Sequence, residues 1–217
     1  MDNRNYIATI IWVTIFAIAM AFAESAVVVY LRDIYYPEGF SMPMKAFTDF
    51  KILVEVLREI ATLFMLTAVA YLAGKRFWER FAYFIIVFGI WDIFYYVWLK
   101  VLLDWPSSMF DWDVLFLIPF PWIGPVIAPV SIAILMIVFG LCIVWSFQED
   151  EDIRPTRVSY ILASAGVIIV LYSFMHDFDA TLRQQMPRPY RYDLLVIGDI
   201  LFIAAFVFSY MKRRGNS

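Results

Sequence analysis

The residues that build most metal and redox centres are almost absent from this chain. It has one histidine, His176, and one cysteine, Cys142, in 217 residues. A single imidazole excludes bis-histidine haem ligation, a copper site and a zinc triad. A lone thiol excludes an internal disulfide. Charge is scarce too, at 17% Asp, Glu, Lys and Arg, against about 25% in a typical soluble domain. The net charge of -3 points to neither nucleic acid nor an acidic partner. There is no phosphate loop, no dinucleotide fingerprint and no basic patch interleaved with aromatics. No cofactor is expected, and no metal. Carboxylates alone suit Mg²⁺, Ca²⁺ or Mn²⁺, but here they are interleaved with Arg and Lys.

Apolar residues are abundant instead. They make up 63% of the chain, against about 45–50% in soluble domains. A bilayer core of about 30 Å is crossed by about 20 mostly apolar residues in helical form. Six segments qualify: 6–31, 51–73, 80–103, 123–147, 157–176 and 192–211. Lipid offers the backbone no hydrogen-bond partner, so each is expected to be helical. No period-2 alternation suggests a barrel. The first run is too long for a signal-peptide core and is expected to be a retained span. The expected fold is an all-α integral membrane protein of six transmembrane helices in one domain, with the lipid bilayer as its principal partner.

Val114 to Gln148 carries no charge. That run is too long for one span and too short for two with a turn. Pro119, Pro121, Pro125 and Pro129 interrupt it. It reads as a short interfacial or re-entrant helix near 112–118, a Pro-broken turn, and then span four. Asp111 or Asp113 would cap the short piece, because carboxylates accept hydrogen bonds at a helix start. Pro129 would kink span four.

Six spans place both termini on one side. Arg4, Lys75, Arg76, Arg80, Arg154, Arg157 and Lys212-Arg213-Arg214 share that side. Lys45, Lys51, Arg183, Arg188 and Arg191 lie on the other, once the basic residues within or at the ends of spans are set aside. The positive-inside rule then places both termini in the cytoplasm, in a plasma (inner) membrane. The acidic QEDED loop hardly affects this rule.

The spans also carry charges, each of which costs about 2.5–3.5 kcal/mol to insert and so favours bundle-facing partners. In span two, Glu55, Arg58, Glu59 and Thr62 follow i, i+3, i+4, i+7 and share a helix face. In span three, Asp92, Tyr95, Tyr96 and Lys100 share another. Span one contributes Glu24 and Arg32. Helix direction places all three stripes at similar depth, in the outer half. If spans one and two are neighbours, Glu24 and Arg58 are the expected pair.

Two readings follow. In the first, Arg32, Arg58 and Lys100 offer positive contacts and Tyr95 and Tyr96 hydroxyls. Glu24, Glu55, Glu59 and Asp92 then balance charge or carry protons. The cluster binds or passes a small polar solute, a lipid headgroup or a proton. In the second it is a dry brace inside an accessory subunit of a larger membrane complex. A membrane enzyme using a carboxylate as general base is a third reading, but no nucleophile–base pair is legible.

Five further residues stand apart. Ser173, His176 and Asp177 lie on one helix end, where a catalytic triad's geometry is rarely met; His176 reads as interfacial. Asp193 and Asp199 share span six and point about 120° apart, which excludes a paired-aspartate centre. Asp199 still needs a partner in the bundle.

Overall fold

The computed structural model describes residues 6–40, 42, 49–148 and 155–214. Arg4, Lys45, Arg154 and the acidic residues 149–152 lie outside the described residues. The helices are α1 (Tyr6–Tyr35), α2 (Asp49–Ala73), α3 (Phe77–Leu103), α4 (Ile127–Gln148), α5 (Arg157–Met175), the short α6 (Phe178–Leu182) and α7 (Tyr192–Arg214). Five of them, α1, α3, α4, α5 and α7, are long and apolar enough to cross a membrane. The sixth long helix, α2, has 25 residues and concentrates its charge in its first half. The chain is an all-α polytopic membrane protein with one small addition, a hairpin of β1 (Trp112–Phe116) and β2 (Trp122–Pro125) between α3 and α4.

That hairpin corrects the reading of 112–118 as a short helix. The strands pair antiparallel, with Trp112 opposite Pro125 and Val114 opposite Ile123. Pro119 and Pro121 lie in the connection, where a missing N–H costs no ladder bond. Asp111 does not cap a helix. Its Oδ2 accepts from Ser107 N at 2.7 Å, Ser108 N at 3.1 Å and the Ser107 hydroxyl at 2.8 Å, which closes the turn before β1. Span four therefore begins at Ile127 rather than 123. Pro129 falls in its first turn, where the N–H has no intrahelical acceptor; it starts the helix rather than kinking it.

The outer surface is apolar, as lipid demands. Leu72 is 83% exposed and Phe64 72%, and such residues recur on the outward faces of the long helices. Two apolar clusters form the inside. One joins Ala17 and Ala21 of α1, Leu66 and Ala70 of α2, Ile86 and Val87 of α3, and Val144 of α4. The other joins Ala128, Val170, Phe174, Tyr190 and Leu195. Thus α1 to α4 pack as one group and α5 pairs with α7, with α4–α7 and β2–α5 contacts between the groups. The start of α3 is fixed by buried Glu79, which accepts from Lys75 N at 2.7 Å and Arg76 N at 3.4 Å.

Glycine lets α3 and α4 approach closely. A Cβ on Gly89 would lie 2.6 Å from the Ala133 carbonyl oxygen, and one on Gly140 2.9 Å from the Ala82 carbonyl oxygen. Backbone cannot yield without separating the helices. Gly89→Val is expected to destabilise the chain by about 1–3 kcal/mol through overpacking, read as a lower thermal midpoint in detergent.

Candidate functional site

The charged stripes converge because of the helix directions. Only residues 74–76 separate α2 from α3, so the two form an antiparallel pair. Contacts of Tyr35 with Lys51 and of Glu24 with Thr62 show that α1 is antiparallel to α2. The polar faces of α1, α2 and α3 meet near the C-terminal ends of α1 and α3.

Arg58 sits against Glu24, the pairing expected from their stripes. Its Nε also donates to Glu55 Oε2 at 2.8 Å. The Thr62 hydroxyl donates to Glu24 Oε2 at 3.1 Å. Glu59 faces the hairpin instead: the Leu117 N–H donates to both carboxylate oxygens, each at 3.0 Å. Sequence reasoning had no access to this bond, because it depends on how the hairpin sits.

The hairpin brings in the most consequential addition, Asp113. Arg32 Nη2 lies 3.2 Å from Asp113 Oδ1, and both side chains are buried. The Tyr96 hydroxyl donates to the same carboxylate. The Arg32 guanidinium also lies over the rings of Trp105, at 3.8 Å, and Phe40, at 4.3 Å. Burial pushes the Asp113 carboxyl up to about 6, against the pull of the Arg32 charge. Asp92, on the α3 face beside Tyr95 and Tyr96, has no hydrogen-bond partner for its buried Oδ2 among the described residues.

Lys100 does not join this group. It points out of the end of α3, with Nζ 2.6 Å from Asp104 Oδ1, and holds that carboxyl below its ordinary value. Its distance from the cluster follows from its place in the last turn of α3, where a cation faces free carbonyls; Nζ also donates to Asp104 O. His176 Nδ1 is 3.0 Å from Ser173 O, the Ser173 hydroxyl meets Tyr190, and Asp177 accepts from Arg188 N. No triad forms among them. Asp199 bonds Ser131 of α4, a partner inside the bundle. Among the described residues, no group of three or more His, Cys, Asp or Glu is spaced to hold a metal ion.

The cluster opens into a cavity of about 1170 Å³. Its walls come from α1, α2 and α3, from the hairpin, and from α4, α5 and α7. On α3 the lining runs from Phe77 to Tyr96, roughly 28 Å of helix at 1.5 Å per residue, close to the bilayer core thickness. Polar side chains gather at one end, around Asp92 and Asp113. A smaller polar pair, Ser159 and Ser209, lies far along it, with hydroxyls 2.8 Å apart. Between them the lining is apolar and aromatic: Phe88, Ile132, Met136, Phe139, Phe202 and Phe206.

No family model matches the chain, and no solved structure does. Over 112 residues it is 31% identical to a Bacillus subtilis (strain 168) protein described as the uncharacterized MFS-type transporter YfiU. The match takes in 52% of this chain and 19% of that relative. The chain thus spans well under half of the relative's length.

Proposed function

We propose that this membrane domain binds a small polar or charged solute at the cluster and passes it across the bilayer. The cavity carries the reading. Ion pairs that only fixed helix register would be sealed by packing, whereas these face about 1170 Å³ of open space whose α3 wall runs most of a bilayer's depth. Intramembrane ionisable groups are expensive and are retained where they line solute or proton paths. The partial likeness to a protein described as an MFS-type transporter supports the same reading.

The bonds of Arg58 to Glu24 and Glu55 favour a second reading, a brace that sets helix register in a larger assembly. Water access separates the two. In a Cys142→Ala background, Asp92→Cys is expected to react with a membrane-impermeant thiol reagent applied to one side of sealed vesicles. Complete protection from both sides, in a variant that migrates as folded protein, overturns solute passage and leaves the brace.

A further inference from the structure

The charge of the lining decides what kind of solute fits. Five carboxylates face the cavity (Glu24, Glu55, Glu59, Asp92 and Asp113) and two guanidiniums, Arg32 and Arg58. Both guanidiniums face carboxylates, although Arg32 Nη1 has no hydrogen-bond partner among the described residues. Arg58 serves Glu24 and Glu55. Arg32 serves Asp113 and the rings of Trp105 and Phe40. Glu59 takes the Leu117 N–H. Five carboxylates against two guanidiniums leave a negative excess, and within it Asp92 has no ion pair and its Oδ2 meets no donor among the described residues. Asp113, itself 3% exposed, also keeps one oxygen, Oδ2, without a partner among the described residues. An anion entering here would face five carboxylates and only two guanidiniums, each already beside a carboxylate. A cation would meet two oxygens that lack donors.

The surroundings narrow the class further. Carboxylates at metal-ligand spacing are absent among the described residues, so a small hydrated metal ion would lose water without enough oxygens to replace it. Aromatic rings line the same cavity instead: Trp91, Tyr95 and Tyr96 on the helix of Asp92, with Phe116 and Trp122 from the hairpin, Phe116 packing against Trp91. Ring faces attract large, weakly hydrated cations. Beyond them the apolar lining rewards burial of a hydrocarbon body. A cavity of about 1170 Å³ exceeds the usual range of ~300–1,000 Å³ for small-molecule sites, leaving room for a bulky ligand.

We propose that the cavity binds a lipophilic monocation, its positive centre at Asp92 and its apolar body along the aromatic lining toward Phe206. This rests on the solute-site reading above and names the chemistry of its solute. The probe is tetraphenylphosphonium, with tetraphenylborate as its counterpart of similar shape and opposite charge. Binding is measured by equilibrium dialysis against the full chain in lipid nanodiscs, with empty nanodiscs subtracted. Saturable binding of the phosphonium alone is expected, weakened at least tenfold by Asp92→Asn and retained by Asp92→Glu. Ala163→Trp, which fills the cavity from α5 and leaves Asp92 intact, is also expected to abolish binding, so the test does not depend on one variant folding.

Absence of saturable phosphonium binding overturns the proposal. So does equal affinity in folded Asp92→Asn, or equal binding of the borate. If Asp92→Cys is labelled in vesicles while the phosphonium fails to bind, the cation assignment falls and the solute site stands. If labelling fails as well, both fall.

Discussion

Arg58→Ala is expected to destabilise the chain by about 3–5 kcal/mol, the range for removing one partner of a buried ion pair. The loss is asymmetric. Glu24 is 7% exposed, and without Arg58 only the Thr62 hydroxyl would support its charge. Glu55 would lose its ion pair as well. Two carboxylates would then face the low-dielectric interior beside Glu59. The measurement is thermal unfolding of the purified chain in detergent, where several kcal/mol appears as a fall of many degrees. Adding Glu24→Gln to Arg58→Ala is expected to recover part of the loss, because the stranded charge is gone. Arg58→Lys is expected to fall between wild type and Arg58→Ala: it keeps the charge but cannot fork toward both glutamates. A melting point for Arg58→Ala within a degree of wild type would show that this pair does not hold α1 to α2.

The expectation for Arg58 is legible in the sequence alone. Glu55, Arg58, Glu59 and Thr62 share a helix face by spacing alone, and helix direction brings Glu24 to their depth. Long charge-free runs likewise mark the long helices to within a few residues at most ends. What the sequence hid lies between α3 and α4. A five-residue strand gives too few alternations to separate period 2 from period 3.6, and Val114 to Phe116 merge into the apolar run that becomes α4. Arg32 and Tyr96, which meet Asp113, and Glu59, which meets Leu117, lie on α1, α3 and α2, outside the hairpin, so these roles depend on tertiary packing. Lys100 stands apart from the cluster for a different reason. Its spacing puts it on the face of Asp92, but Asp104 follows at i+4, a local partner at a helix end. That local signal was present in the sequence and outweighs the shared face.

Arg32→Met is expected to release the hairpin and to do so in a pH-dependent way. Arg32 fixes Asp113 from α1, and its guanidinium lies over Trp105 and Phe40. Removing it strands a carboxylate that is 3% exposed, with a loss of about 3–5 kcal/mol when that group is charged. Lost cation–π contact adds about 0.5–2 kcal/mol that does not depend on the protonation of Asp113. An aspartate in the unfolded chain titrates near ~3.9, whereas burial raises Asp113 to about 6. The folded state therefore binds the proton more tightly. Its advantage is complete at pH below the unfolded value and is lost as pH rises through about 6. Without Arg32 only the Val114 N–H and the Tyr96 hydroxyl oppose the burial, so the variant keeps the proton to higher pH and loses more stability once it gives it up. The deficit of Arg32→Met relative to wild type should then be modest at pH 5 and full at pH 8. Adding Asp113→Asn should remove the pH dependence and leave the smaller cation–π loss. Hydrogen exchange at the Leu117 amide, which donates to Glu59, reports whether the hairpin has detached. An equal deficit at both pH values would mean that Arg32 holds the hairpin through the packing of its side chain on Trp105 and Phe40, not through its charge on Asp113.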